Sequence, residues 1–197
     1  RAAHSSRPSL GLNAIELASR VCIALSELQH TLRTERKFEE QLDAPFTILN
    51  LAQIHGGVAV NIVPNQCSLR VGARPLPGQS AEDILERIRS TLSPLDEEVR
   101  KRGGRIEIEP GDTTPSLYTK PTCDLMSSLC VHASHPEPIG APFATDGGNL
   151  TTLGMETLIF GPGSIDQAHR ANEFILEDDL FRTVKFVEQV VRTRCGV

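Results

Sequence analysis

Two histidines stand among small residues: His4 in Ala-Ala-His-Ser-Ser, and His169 at the end of Gly-Pro-Gly-Ser-Ile-Asp-Gln-Ala-His, residues 161–169. Small neighbours leave room for a substrate or a metal ion. A neutral imidazole is a good zinc ligand, and a positioned one polarises a carbonyl. His169 follows a short apolar run (157–160) and a glycine-rich turn, an arrangement that presents side chains at a sheet edge, where loops carry chemistry. The other four histidines read more plainly. His30 and His132 fall on polar helix surfaces, His55 caps a hairpin, and His135 is a loop residue whose nearest acid is Glu137.

Two further groups have the right type for recognition. Arg74 ends the polar face of an alternating strand immediately before Pro-Leu-Pro-Gly, a rigid turn that would hold a guanidinium for a carboxylate. Asn61, in Val-Asn-Ile-Val-Pro, is a polar residue in an apolar setting, which calls for a specific hydrogen bond to its amide. The residues alone favour the plainer reading of each, a surface ion pair for Arg74 and a turn amide for Asn61. Asp146 and Asp166 either orient histidines or cap the turns that follow them, and capping is favoured for Asp146. A hydrolytic zinc site needs three or more protein ligands and a water. No H-x-x-x-H or H-E-x-x-H occurs, so if His169 is a ligand its companions lie upstream of residue 1. No G-x-S-x-G elbow, P-loop or dinucleotide fingerprint is present.

The elements that must position these groups come from an ordinary globular composition, 39% hydrophobic and 23% charged over 197 residues. A net charge of −5, without a run of Lys or Arg, argues against a nucleic-acid or anionic-membrane partner. No apolar stretch approaches the ~20 residues that span a bilayer. Five cysteines without a C-x-x-C pair read as reduced, small-hydrophobe cysteines of a cytoplasmic protein. The opening "RAAHSSRP" has neither an initiator Met nor a signal peptide and reads as cut from a longer chain.

Residues 13–29 read as a helix capped by Asn13, with Leu17, Val21, Leu25 and Leu28 on one face. Strands follow at 45–54 and 66–74, then a second helix capped by Ser80 with Ile84, Ile88, Leu92 and Leu95 inward, then a strand at 105–110. With one strand before residue 1, truncated or missing here, the order completes a ferredoxin-like β-α-β-β-α-β lid. After 111–115 the character changes to α/β material: a helix around 120–133, a strand at 156–160, and a last helix with Leu180, Val184, Val187 and Val191 inward. That second part has too little sheet to cover and is expected to need a partner segment.

Taken in order, "AAHSSRPSLGLNAIEL", "LAQIHGGVAVNIVPNQCSLRVGARPLPG", "APFATDGGNL" and "GMETLIFGPGSIDQAHRANEFI" resemble the lid and C-terminal catalytic segments of the co-catalytic zinc amidohydrolases. That family includes acetylornithine deacetylase, succinyl-diaminopimelate desuccinylase, aminoacylase and related glutamate carboxypeptidases, and the pattern stands nearest the first. The joint order of A-H-S-S, N-x-V-P, R-P-L-P-G and G-P-G-x-x-x-x-A-H carries the resemblance over nearly the whole chain.

The resemblance implies a lid and dimerisation domain at 1–112 and, at 113–197, the C-terminal segment of an α/β/α zinc-hydrolase domain. It implies hydrolysis of an N-acyl amino acid amide with two zinc ions in the intact enzyme, cobalt being an alternative metal, in a cytoplasmic homodimer joined through the lid. His169 corresponds to the last zinc ligand. His4 corresponds to the lid histidine that reaches into the neighbouring active site and steadies the oxyanion. Asn61 and Arg74 correspond to groups near the substrate's carboxylate and scissile carbonyl, and Thr145, Gly163 and Ser164 to the pocket wall. The other ligands and the glutamate base would belong to an N-terminal half outside this chain, so the fragment alone is expected to be inactive. A noncatalytic dimerisation module, pairing through an exposed lid strand, is the competing reading.

Overall fold

The computed structural model describes residues 1–35, 42, 44–131, 137–141 and 143–196. The readings of His132 and His135 fall outside the described residues. The chain divides into two compact units, Arg1–Ser116 and Leu117–Val197.

The first unit is built on two long helices and an antiparallel pair of strands. Helix α1 spans Ala14–Glu35. Asn13 starts it as its residue type requires: its Oδ1 accepts from the Ile15 and Glu16 N–H groups at 3.0 and 3.3 Å, and its Nδ2 donates to Glu16 at 3.0 Å. The helix runs six residues past the expected end because Leu32 continues the apolar stripe of Leu25 and Leu28. After the two-residue strand β1 (Ala3–His4), the strands are β2 (Ile48–Gly56), β3 (Ile62–Val63) and β4 (Cys67–Arg74). β2 pairs with β4 antiparallel from Ile48 opposite Arg74 to Gly56 opposite Cys67, with an irregularity between Leu51 and Gln53. His55 lies inside this ladder opposite Ser68 and is not a hairpin cap, because the register holds for one residue beyond it. Helix α2 (Ala81–Lys101) begins with a reciprocal capping box: the Ser80 hydroxyl accepts from Asp83 N–H at 3.0 Å, and the Asp83 carboxylate accepts from Ser80 N–H at 2.8 Å.

Leu25, Leu28 and Leu32 of α1, Leu49 of β2, and Ile84 and Leu92 of α2 form the main core. A second cluster, Leu12, Leu95 and Val99, closes the other end of the helix pair. The helices are antiparallel and tied at both ends by ion pairs, Arg20 with Glu98 (2.7 and 2.5 Å) and Arg87 with Glu35. Exposed pairs of this kind add little to stability, so orientation is their main effect.

The expected strand at 105–110 is not one. Ile106 and Ile108 turn inward and alternate with exposed Arg105, Glu107 and Glu109, yet no described strand pairs with the segment. Its anchor is Asp96 of α2, whose carboxylate accepts from Ile106 N–H at 2.7 Å. The described strands form two short ladders, β1 with β3 and β2 with β4, which together with the helices give the expected α+β class.

In the second unit the described helices are α3 (Asp124–Cys130), α4 (Gly147–Thr152) and α5 (Glu177–Cys195). Cys123 caps α3, its sulfur accepting from Met126 N–H at 3.2 Å, so this thiol works as a polar group. Residues 156–160 are extended but form no described ladder. They are held by side chains: Glu156 accepts from Leu125 N–H at 3.2 Å, and Phe160 stacks on Phe186 at 4.0 Å. Helix α5 is where expected, with acids in its first turn and Arg192 and Arg194 in its last, matching the helix dipole. Its buried face is not the expected one. Phe186 is buried, whereas Leu180, Val184, Val187 and Val191 remain 44–51% exposed, because only the Phe186 side is packed within this unit. No described helix is long and apolar enough to cross a membrane.

The carboxyls of Asp83, Asp96, Glu35 and Glu98 are all held below the usual carboxylate range. Asp83 is lowered first by Ser80 N–H, Asp96 first by Ile106 N–H and then by Arg100, Glu35 by Arg87, and Glu98 by Arg20. A depressed folded-state pKa adds stability above the unfolded value and loses it as pH falls through the folded one. The melting temperature is therefore expected to hold from neutrality to about pH 4.5 and fall below that. Asp96→Asn should flatten the fall, as read by thermal unfolding against pH; an unchanged slope would remove Asp96 from the account.

Candidate active site

His4 is placed by the shorter of the two described ladders. Ala3 pairs with Val63 and His4 with Ile62, and Ser5 N–H donates to the Asn61 carbonyl at 2.9 Å. Two candidates 57 positions apart thus become backbone neighbours on an exposed edge. The role assigned to Asn61 by type was a hydrogen-bonded amide. What the structure fixes is its main chain, while the side chain stands on an exposed residue at the turn.

The state of the His4 ring follows from its partner Ser6, a residue the sequence reading passed over. Ser6 N–H donates to Nδ1 at 3.2 Å, and the Ser6 hydroxyl lies 2.7 Å from the same nitrogen. A backbone N–H has no acceptor function, so Nδ1 must be the acceptor and the proton of the neutral ring sits on Nε2. The imidazole thus presents an N–H donor away from its anchor, the form that stabilises a developing oxyanion. The local signal was the two-residue spacing in His-Ser-Ser, which allows a side chain to fold back onto a neighbouring N–H.

Arg74 is the last residue of β4 and stands opposite Ile48. It lies seven positions along the strand from Cys67, which at strand rise is ~24 Å along β4. The structure brings His4 to Asn61 and sets Arg74 at the opposite end of its strand from the β3 connection.

The remaining candidates belong to the second unit. Gly163 has φ 87°, a left-handed conformation that glycine adopts without strain. The Ser164 hydroxyl accepts from Asp166 N–H at 3.2 Å and opens a 3-10 turn, Ile165–Gln167, that delivers His169. His169 is exposed and has φ 61°, with Asn172 close behind at 62°. Left-handed backbone at a non-glycine residue costs about 1–3 kcal/mol and collects at functional sites. Glu173, a second residue missed in the sequence, helps hold it, its carboxylate accepting from His169 N–H at 3.3 Å.

The capping expected of Asp146 is done by Thr145. Thr145 Oγ1 accepts from Gly147 N–H at 3.2 Å at the start of α4, while Asp146 makes no capping bond. The reason is conformational: Asp146 is helical (φ −66°, ψ −9°), and a capping side chain needs an extended backbone to reach forward.

Among the described residues no three His, Cys, Asp or Glu side chains are grouped to hold a metal ion. Zinc requires at least three protein donors, so these residues do not by themselves fit it, and His169 is a single imidazole facing outward.

Comparison with known proteins adds a family. A model described as peptidase dimerisation domain, of the M20 class, matches residues 1–100. The acetylornithine deacetylase of Vibrio atlanticus is 35% identical over 199 residues, which is 99% of this chain and 50% of that protein. That of Myxococcus xanthus is 33% identical over 197 residues, 98% of this chain and 50% of that protein. The chain spans about half the length of the curated relatives it matches. Among solved structures, a Staphylococcus aureus tripeptidase superposes with a TM-score of 0.74 at 23% identity, over 98% of this chain and 48% of that one. An M20 family metallo-carboxypeptidase from Sulfolobus solfataricus gives 0.67 at 16% identity, over 97% of this chain and 55% of that one. These two likenesses speak to the fold.

The His4 geometry gives a direct expectation. In the neutral ring, nitrogen NMR should show the Nε2–H tautomer, and Ser6→Ala should shift the ring toward a tautomer mixture. A dominant Nδ1–H form in the unsubstituted protein would contradict the assignment.

Proposed function

The chain belongs to the M20 peptidase family through its dimerisation domain, and on that premise we propose that the whole protein hydrolyses the amide bond of an N-acyl amino acid. N-acetylornithine is the substrate favoured by the similarity to acetylornithine deacetylases. The observation that carries the reading is His4. Its Nδ1 is engaged by Ser6, which leaves the proton on Nε2 of an exposed residue, and the Asn61 backbone lies beside it.

The side chains divide the work by chemistry. Arg74 offers a planar pair of donors to the substrate carboxylate, Asn61 a neutral amide, and His4 an N–H donor to the oxygen that gains charge as the carbonyl is attacked. In the second unit Thr145, Gly163 and Ser164 would belong to a pocket wall, a role supported by the resemblance that their order in the sequence carries. His169 would supply one imidazole to a zinc site, which would need at least two further donors beyond the described residues. The ~24 Å run of β4 supports a composite arrangement in a homodimer, with His4 and Asn61 from one copy serving the site that the Arg74 of another copy helps to form. The family match over the first unit also fits a noncatalytic dimerisation module, and one experiment separates the two.

The full-length, zinc-loaded protein should release acetate from N-acetylornithine or a related N-acyl amino acid. His4→Ala should lower kcat about 10²–10³-fold, the usual loss for an oxyanion donor. Arg74→Ala should raise KM about 10–100-fold, the range for a charge-assisted hydrogen bond. Absence of turnover on every N-acyl amino acid tested would leave the dimerisation module standing alone.

A further inference from the structure

We propose that Gln79 and the buried Thr47 form a part-buried clamp that positions Arg74 for its carboxylate; the inference rests on the reading of Arg74 given above. Neither residue touches substrate in this account, and both act through the backbone of the turn that follows Arg74.

The turn itself is local chemistry. The Leu76 carbonyl accepts from Gln79 N–H at 3.0 Å, Pro77 holds the second position, and Gly78 has the φ of 78° that the third position of a type II turn demands. Local chemistry stops there, and the side chain of Gln79 continues it. Its Oε1 accepts from Leu76 N–H at 3.1 Å and from the Thr47 hydroxyl. Both lone pairs of that oxygen are used, one by the turn and one by the residue just before β2. Thr47 Oγ1 also stands 3.4 Å from Leu76 N.

Thr47 is 2% exposed and Leu76 3%, while Gln79 is half-buried, so one side of this polar junction is closed to water. Thr47 is held in turn by α1: its carbonyl accepts from Gln29 Nε2 at 3.4 Å, and Gln29 Oε1 accepts from Leu49 N–H. The chain of contacts thus runs from the centre of α1 through the start of β2 to the turn.

Arg74 sits between two fixed points. On one side its backbone is in register with Ile48, the residue after Thr47. On the other, Leu76 N–H is bound into the Gln79 and Thr47 junction. Between them lies Pro75, which locks its own φ and keeps the preceding residue extended. A satisfied polar junction in a buried place specifies geometry more than it adds stability. A guanidinium that must meet a planar carboxylate through two parallel bonds depends on that geometry.

The test uses the full-length protein, an N-acyl amino acid substrate, and the same substrate with its carboxylate amidated. Gln79→Ala is expected to raise KM for the carboxylate substrate about 5–20-fold with kcat within about twofold, and to leave the amidated substrate unaffected. Gln79→Glu, which keeps an acceptor for both donors, should restore most of the affinity. In an Arg74→Ala background Gln79→Ala should add nothing further. Where Gln79→Ala does not fold, Thr47→Val against Thr47→Ser gives the same contrast. An unchanged KM, or an equal rise with and without Arg74, overturns the clamp while Arg74 keeps its role. A wild-type enzyme whose KM is insensitive to Arg74→Ala overturns the underlying reading and the clamp with it.

Discussion

The burial of Leu25, Leu28 and Leu32 against Leu49, Ile84 and Leu92 is the constraint on which the first unit depends. Each fully buried leucine or isoleucine contributes about 1.5–3 kcal/mol by removal from water, well above any surface ion pair in the same unit. That packing sets α1 against the paired strands, and the ends of those strands carry Arg74 and the Thr47 junction. The second cluster, Leu12, Leu95 and Val99, fixes the chain just after the segment that bears His4. The groups with chemistry therefore occupy the rim of a packed core and not its interior, which is where side chains can be both oriented and reached.

Much of this was legible in the residue order where the signal is local. Asn13 and Ser80 start their helices because a short polar side chain reaches its own N–H groups two or three residues on, whatever the rest of the chain does. The alternation of Cys67, Leu69 and Val71 fixed which face of β4 turns inward, since a strand has only two faces. What failed was of another kind. Residues 105–110 and 156–160 carry the pattern of strands, but a ladder is a property of two segments, and the pattern of one does not supply its partner. For α5 the apolar spacing identified a helix, and the packed side was decided by the Phe160–Phe186 stack, a contact between distant positions. β1 was invisible because two residues have no periodicity.

The same distinction runs through the candidate site. His4, Asn61, Arg74 and His169 were singled out by residue type and, jointly, by the resemblance their order carries. Their supports were not. Ser6 and Glu173 lie within four positions of the histidines they hold and had a readable local signal. Thr47, Gln29 and Gln79 did not, because a glutamine that closes a junction between three distant segments looks in sequence like any surface amide.

Three physical devices for holding a side chain coexist here, and they differ in what disturbs them. His4 rests on an exposed two-residue ladder and one serine, so its orientation rests on a few solvent-exposed hydrogen bonds that water competes for. His169 is set by a strained backbone, and the strain is sustained only while the surrounding turn over-determines it. Arg74 is set by a part-buried network centred on the buried Thr47, where the lower local dielectric strengthens the bonds relative to those on an open edge. The most rigid support thus belongs to the group assigned to ground-state recognition. The least rigid belongs to the group assigned to the developing oxyanion, whose alignment matters only once substrate is in place. A donor on an exposed edge can adjust as substrate arrives, whereas a guanidinium that must select a carboxylate gains from being fixed beforehand, because the entropy of ordering it has already been lost in folding.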